Sequence, residues 1–284
     1  MRSVKYIVAA GAASMLSSAA LAADMPSIMP APQGYYAPPP QEFGGWYLRG
    51  DIGMTNSTGK LHDNLYDTLP AGSTLTQQGE GFTGGMSYGV GVGYQFNNWF
   101  RADITGEYRS RVGFSGTDIT TFPGGSAGSD VYQGGYTSWV GLANAYVDLG
   151  TWWCLTPFVG AGVGAAHITT TGLQDSGLVF APGIGSEFPS SYFANGASTT
   201  NLAWAAYAGV AYKVTNNFTV ELAYRYLDMG TAVYGNSQAF APGGFSGPST
   251  FQFHDLTSQD VKIGLRWTCC DVEPAAPPVL MRKG

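Results

Sequence analysis

Apolar and polar residues alternate one by one along separate segments of this chain, and this period of two limits its fold more than any other feature. In the clearest segment, Phe100, Ala102 and Ile104 take one set of alternate positions. Arg101 and Asp103 take the other set. Successive side chains of a strand point to opposite faces of its sheet. One face of such a strand therefore suits an apolar surrounding and the other a polar one.

Eight segments show this alternation, and an even number of strands is what a closed up-and-down bacterial barrel requires. The segments are residues 46–52, 88–96, 100–109, 143–149, 159–165, 206–213, 220–226 and 260–267. A soluble sandwich would show the same alternation with its polar face in water. The number of strands favours an all-β fold, an eight-stranded antiparallel up-and-down transmembrane β-barrel.

The composition supports a transmembrane barrel. Charged residues make up 11% of the chain, whereas Gly (41), Tyr (17) and Trp (7) are abundant. A soluble globular protein usually has about 25% charged residues. Every later apolar run is broken by Gly or a polar residue well before the roughly 20 residues that a spanning helix needs.

The N-terminus predicts export from the cytoplasm. Arg2 and Lys5 precede an Ala-rich apolar stretch, and a small-x-small pattern ends at Ala22. This is the pattern of a cleaved signal peptide, and the apolar stretch is too short for a membrane anchor. Cleavage would lower the basic count from 13 to 11 against 19 acidic residues, a net charge of −8. Nucleic acid is therefore not expected as a partner, since it calls for a basic patch.

The chain divides into four predicted parts. Residues 1–22 are the signal peptide, and residues 23–44 are a Pro-rich periplasmic linker. Residues 45–267 form the transmembrane barrel, and residues 268–284 form a periplasmic C-terminal tail. Pro cannot donate to a strand ladder, which is why we expect the linker to be extended.

The connections between the predicted strands alternate in length. The short ones are residues 97–98, 150–155 and 215–217, and the long ones lie near residues 55–85, 112–135, 169–199 and 230–255. Bacterial barrels have short periplasmic turns and longer extracellular loops, so both termini are predicted to be periplasmic. Aromatic residues near the short turns predict an interfacial girdle: Phe96, Trp99, Trp152, Trp153, Phe218 and Trp267.

Three phrases carry a resemblance to a known family: residues 91–96 (GVGYQF), 156–164 (TPFVGAGVG) and 221–227 (ELAYRYL). They resemble small OmpA-like barrels, and most of all the alphaproteobacterial surface-antigen and porin-like family, which includes hemin-binding members. The resemblance covers roughly residues 45–267 and implies a Gram-negative outer membrane, with lipid and lipopolysaccharide as surroundings. Such barrels commonly end on an aromatic residue that the barrel-insertion machinery recognises. Trp267 occupies that place, although a tail follows it.

Charged residues on the polar face of the strands are predicted to point into the lumen. They are Arg49, Arg101, Arg109, Lys213, Arg225, Lys262 and Arg266, with Asp51, Asp103, Glu107, Asp148, Glu221 and Asp260. Charges removed from water must pair, and an eight-stranded barrel is just wide enough for side chains. This pattern predicts a structural polar core, with a narrow ion path as the alternative.

The remaining chemistry of the sequence is sparse. The three histidines, His62, His167 and His254, have no metal-ligand spacing and form no triad. We therefore predict no catalytic residue, no metal site and no cofactor. Axial ligation of hemin by His62 and His254 in the loops is an alternative to solvated histidines.

Cysteine and acidic residues complete the candidates. Cys154, Cys269 and Cys270 fall at the periplasmic end, where disulfides persist. Cys154 is predicted to pair with Cys269 or Cys270, and a bond between Cys269 and Cys270 is the alternative.

The predicted loops are acidic, which predicts an acidic outer surface. Their acidic residues are Asp63, Asp67, Glu80, Asp118, Asp130, Asp175, Glu187, Asp228 and Asp255.

Three functions follow as hypotheses. The first is an integral outer-membrane barrel with a structural and surface-exposed role and at most a narrow pore. The second is a porin for small solutes or ions. The third is capture of hemin or a surface ligand by the long loops.

Overall fold

The strand alternation forms a closed barrel in the computed structural model, which describes residues 44–181, 186–240 and 250–269. Twelve strands occur there. They are β1 (Gly45–Asp63), β2 (Thr74–Phe82), β3 (Gly85–Gln95), β4 (Phe100–Thr121), β5 (Ala127–Asp148), β6 (Leu155–Ala181), β7 (Ser186–Ala194), β8 (Ser198–Lys213), β9 (Phe218–Asp228), β10 (Ala232–Val233), β11 (Ser237–Phe240) and β12 (Phe251–Thr268). One short 3-10 helix, Asn64–Thr68, follows β1.

Eight of these strands pair in an unbroken antiparallel ring, which confirms the predicted fold. The order around the ring is β1, β3, β4, β5, β6, β8, β9 and β12, and β12 pairs with β1 to close it. Closure leaves no free sheet edge within the ring, as a barrel in lipid requires. In the described part of the chain, no helix is long and apolar enough to cross a bilayer.

Outward-facing aromatic residues mark the two edges of the membrane-spanning band. Phe96 and Trp267 lie exposed near the short-turn end, and Tyr88 and Trp139 lie exposed farther up the wall. Tyr88 on β3 and Phe96, which directly follows β3, are eight residues apart, roughly 26 Å of chain at about 3.3 Å per residue. Because the strands tilt by roughly 40°, this length rises about 20 Å, most of the height of an apolar band of about 25 Å.

Much of the length predicted as long loops is strand. β4 and β5 continue as one hairpin to Thr121 and Ala127, and β6 runs on to Ala181. β2 pairs with β4, and β7 with β6, so the barrel wall rises well above the girdle. We call this part of the wall above Tyr108 and Trp139 the extension; the rule that bacterial barrels have their longer connections outside predicts that it is extracellular.

β-bulges explain why the alternation seemed to stop. The register between β4 and β5 shifts between Arg109 and Val112, so the buried positions change from odd to even numbers. A second shift, between β5 and β6, places an extra residue of β6 between Thr171 and Gln174. A bulge inserts one extra residue and reverses which face the following side chains occupy. The alternation of apolar and polar residues therefore breaks at the bulge, although the strand continues beyond it.

The predicted signal peptide, all but the last residue of the linker, and nearly all of the C-terminal tail lie outside the described residues.

Candidate functional site

The lower lumen is filled by an ion-pair network around Glu221 and Asp103. Arg101 Nη1 lies 3.0 Å from Glu221 Oε1, and Arg101 Nε lies 3.3 Å from Asp148 Oδ1. Arg49 Nη1 lies 2.9 Å from Asp103 Oδ2. Arg101 and Glu221 are nearly inaccessible to solvent. The charges are thus neutralised within the barrel.

A second network, centred on Arg225, lies nearer the extension. Arg225 donates two hydrogen bonds to Glu107, from Nη1 to Oε2 at 2.9 Å and from Nη2 to Oε1 at 2.6 Å. Its Nε also donates to Asp260 Oδ2 at 2.9 Å, and Arg109 Nη1 donates to the same oxygen at 2.9 Å. Lys262 pairs with Glu107 as well. A bidentate hydrogen bond of this kind fixes the relative orientation of the two side chains as well as pairing their charges.

Several polar partners in the lumen were missed by the sequence analysis. Tyr47 OH donates to Asp103 Oδ2 at 3.0 Å, and Asn144 Nδ2 donates to Asp103 Oδ1 at 2.7 Å. Tyr207 OH in turn donates to Asn144 Oδ1 at 3.0 Å. These residues share the inward parity of the charged ones. That parity could have revealed them, had uncharged polar residues been included.

Inward-facing glycines leave space for these side chains, and a substitution at Gly160 tests whether that space is needed. A Cβ atom at Gly160 would lie 2.4 Å from Tyr146 Cδ1 and 2.9 Å from the Ala145 carbonyl oxygen. Gly160→Ala should therefore destabilise the barrel by about 1–3 kcal/mol, the usual range for overpacking. Urea unfolding of the refolded barrel measures this. Gly141→Ala is the matched control, because nothing lies within 4 Å of that position, and equal stability of the two variants would refute the steric account.

An aromatic layer covers the charge network on the side of the extension. Phe114 packs against Phe253 and Phe82 with ring centres 4.8 Å and 5.0 Å apart, and Tyr234 lies 5.5 Å from Phe253. Leu173 is buried in the same core. Close packing of this kind leaves few gaps as large as a water molecule. Two different layers, one of ion pairs and one of aromatic rings, thus follow each other in the described interior.

Above the aromatic layer lies a group of inward-facing carboxyl and phenol groups. Tyr132 OH donates to Asp118 Oδ2 at 3.0 Å, and Tyr66 contacts the same carboxyl. Asp130 lies close enough to Asp118 for the two carboxyls to interact. Asp175 is 4% exposed, and its Oδ1 has no hydrogen-bond partner. We call Asp63, Asp118, Asp130 and Asp175 the carboxyl cluster.

Burial, and then the charge of Asp130, raises the pKa of Asp118 to about 7. Burial, and then the charges of Asp130 and Asp118, raises the pKa of Asp175 to about 8. The main causes of both shifts include no basic side chain. The cluster therefore retains protons under conditions in which surface carboxyls are ionised.

Comparison with known proteins identifies the family. The sequence matches the family described as "Outer membrane protein beta-barrel domain" over residues 8–268. The chain belongs to the outer membrane β-barrel family. It is therefore an outer-membrane protein. An uncharacterised protein of Brucella abortus is 35% identical over 229 residues, which cover 74% of this chain and 76% of that protein.

This outer-membrane barrel is also similar to a second relative and to a solved structure. A Rickettsia bellii protein named "Putative adhesin" is 30% identical over 216 residues, 75% of this chain and 85% of that protein. The crystal structure of OprG from Pseudomonas aeruginosa has a TM-score of 0.43 and 13% identity, covering 79% of this chain and 96% of OprG.

The barrel brings together all of the predicted lumen charges except Lys213. The ion pairs join Arg49, Arg101, Arg109, Arg225, Lys262 and Arg266 with Asp51, Asp103, Glu107, Asp148, Glu221 and Asp260. The placement of Lys213 in the lumen was wrong. It is exposed at the last position of β8, where the strand leaves the barrel and parity no longer decides the side-chain direction.

The expected acidic surface needs a similar correction. Asp63, Asp118 and Asp175 are buried inside the extension, at 3%, 1% and 4% exposure. The bulges in β4 and β6 turn Asp118 and Asp175 inward. Asp63 keeps the inward odd parity of β1, which runs beyond the segment predicted as a strand. These residues were assigned to loops, where a carboxyl would face water.

Cys154 and Cys269 are both free thiols, so the bond predicted between them is not formed. β8 and β9 lie between β6 and β12 in the ring. Three strand spacings of about 4.8 Å separate the strands beside the two cysteines by roughly 14 Å. A disulfide requires Cα atoms within about 7 Å. Cys270 lies outside the described residues, and the pairings that involve it stay predictions.

Proposed function

We propose that the protein is a non-enzymatic, non-conducting outer-membrane barrel whose extension contacts another surface. The observation that carries this proposal is the filled interior. Paired charges, an aromatic layer and the carboxyl cluster follow one another along the described lumen. Solute passage would require breaking buried ion pairs, which is costly when one partner is left alone. The extension is then the part of the molecule available for a specific role.

The outer face of the extension has the character of a contact surface. Five large apolar side chains are between 38% and 52% exposed there: Ile119, Val131, Leu178, Phe180 and Phe193. Val131 lies eight residues beyond Trp139 along β5, roughly 26 Å of strand at about 3.3 Å per residue, so lipid does not cover it. Ile119 and Leu178 flank Ser129 in the strand register, and exposed apolar patches commonly mark interaction sites. The name of the Rickettsia relative supports an adhesive role.

Adherence assays test this proposal. Bacteria that display the protein should bind better than bacteria without it to at least one of three surfaces: cultured animal cells, a bacterial layer and plastic. Replacement of Ile119 and Leu178 by Ser should reduce this gain several-fold, because apolar area on the face is lost. Gln133→Ser is the matched control, since Gln133 is polar and exposed on the same strand face. Undiminished adherence of the double variant at equal surface display would count against the proposal.

The other two functions remain alternatives. A porin for small solutes is disfavoured by the filled lumen. Hemin capture by His62 and His254 is given some support by their proximity, because their ring centres are 5.6 Å apart. A structural role in the envelope is compatible with the filled barrel and would leave adherence unchanged.

A further inference from the structure

The three histidines of the chain are placed very differently. His62 lies on β1 and His254 on the neighbouring strand β12, and both belong to the outward face of the extension. Their ring centres are 5.6 Å apart at an interplanar angle of 70°. His167 lies apart from them on β6, where Nδ1 is 2.8 Å from Thr200 Oγ1. The chain thus contains one histidine pair and one isolated histidine.

The spacing of the pair matches that of two imidazoles on one metal ion. A metal ion lies about 2.1 Å from an imidazole nitrogen, and therefore roughly 3.2 Å from the ring centre. Two imidazoles on a tetrahedral ion then have ring centres about 5.2 Å apart, and two on opposite sides of an ion about 6.4 Å apart. The observed distance of 5.6 Å falls between these limits.

A carboxylate already orients one of the rings. Asp67 Oδ2 lies 3.1 Å from His62 Nε2, which leaves Nδ1 of His62 for a metal ion. A carboxylate on the second ring nitrogen fixes the orientation of a ligating histidine and makes it a stronger ligand. Its negative charge also offsets that of Lys60, which is paired with His254 in the strand register.

We propose that His62 and His254 bind a divalent cation of the Zn²⁺, Ni²⁺ or Cu²⁺ class, for which imidazole is a suitable ligand. In the described residues, no group of three or more His, Cys, Asp or Glu side chains is placed to hold a metal ion. The two imidazoles are therefore the protein ligands, and water completes the coordination. The site lies on the extension, apart from the apolar face proposed for adherence.

Calorimetric titration with Ni²⁺ tests this site in the full refolded chain, after its thiols have been alkylated. We expect one ion per chain in the wild type and at least ten-fold weaker binding in His62→Ala and in His254→Ala. His167→Ala should bind as the wild type does. With Cu²⁺, the electron paramagnetic resonance spectrum should show coupling to two imidazole nitrogens in the wild type and in His167→Ala.

Three results would overturn the proposal: no Ni²⁺ binding by the wild type, undiminished binding by His62→Ala or His254→Ala, or an equal loss in His167→Ala. The glutamine variants of His62 and His254 retain side-chain size, and their loss of binding with an unchanged unfolding midpoint would show that the effect is not a failure to fold.

Discussion

Replacement of Arg225 by Met is expected to destabilise the barrel by about 3–5 kcal/mol, the usual cost of removing one partner of a buried ion pair. Arg225 is 2% exposed and donates hydrogen bonds to both Glu107 and Asp260. Its removal leaves Glu107 without its two-fold hydrogen-bond partner and leaves Asp260 with Arg109 as its remaining paired cation. Urea unfolding of the refolded barrel, followed by tryptophan fluorescence, measures the loss.

Two controls make this prediction specific. Lys213→Met removes a positive charge from an exposed position of β8 and should change stability by less than about 0.5 kcal/mol. Arg225→Met combined with Glu107→Gln should be more stable than the sum of the single effects predicts, because the two residues interact directly. Equal effects of Arg225→Met and Lys213→Met would mean that the lumen network does not hold the barrel together.

The extension is expected to loosen by several kcal/mol as the pH rises from about 5 to about 8.5. In the folded extension, burial and neighbouring carboxyls raise the pKa of Asp118 to about 7 and that of Asp175 to about 8. An unfolded Asp has a pKa of about 3.9. The folded state therefore binds more protons than the unfolded state between these values. Stability is complete below about pH 4 and is lost as the pH rises through the folded pKa values.

Amide hydrogen exchange measures this loss strand by strand. Protection factors, which remove the intrinsic pH dependence of exchange, should fall at least ten-fold between pH 5 and pH 8.5 in β4–β6 above the girdle. Asp175→Asn should reduce the pH dependence of these protection factors, because the asparagine side chain cannot ionise. Asp67→Asn is the matched control, because the side chain of Asp67 is 67% exposed. Protection that is constant over this range, or a control as flat as Asp175→Asn, would contradict the account.

The barrel could be predicted from sequence because the lipid and the lumen impose opposite demands on alternate residues. Ile104 and Arg101 illustrate this: one is 67% exposed toward the lipid side and the other is fully buried. The alternation also predicted which charged residues face the lumen, for all of them except Lys213. Their pairing could not, because Arg225 and Glu107 meet across the lumen from distant strands.

The extension could not be predicted, for two physical reasons. Bulges reverse the parity of a strand without any residue pattern that marks them, as between Arg109 and Val112. Its Gly, Ser and Thr residues also suit loops as well as strands, so composition did not distinguish the two. The burial of Asp118 and the proximity of His62 and His254 both follow from this hidden strand structure.

Single-channel recording in a planar lipid bilayer tests the central claim most directly. The claim is that paired charges and the aromatic layer close the lumen, so that function belongs to the extension. The wild-type barrel should give no reproducible conductance steps. Reproducible steps from the wild type, reduced by bulky replacements at inward glycines such as Gly89, would contradict the claim.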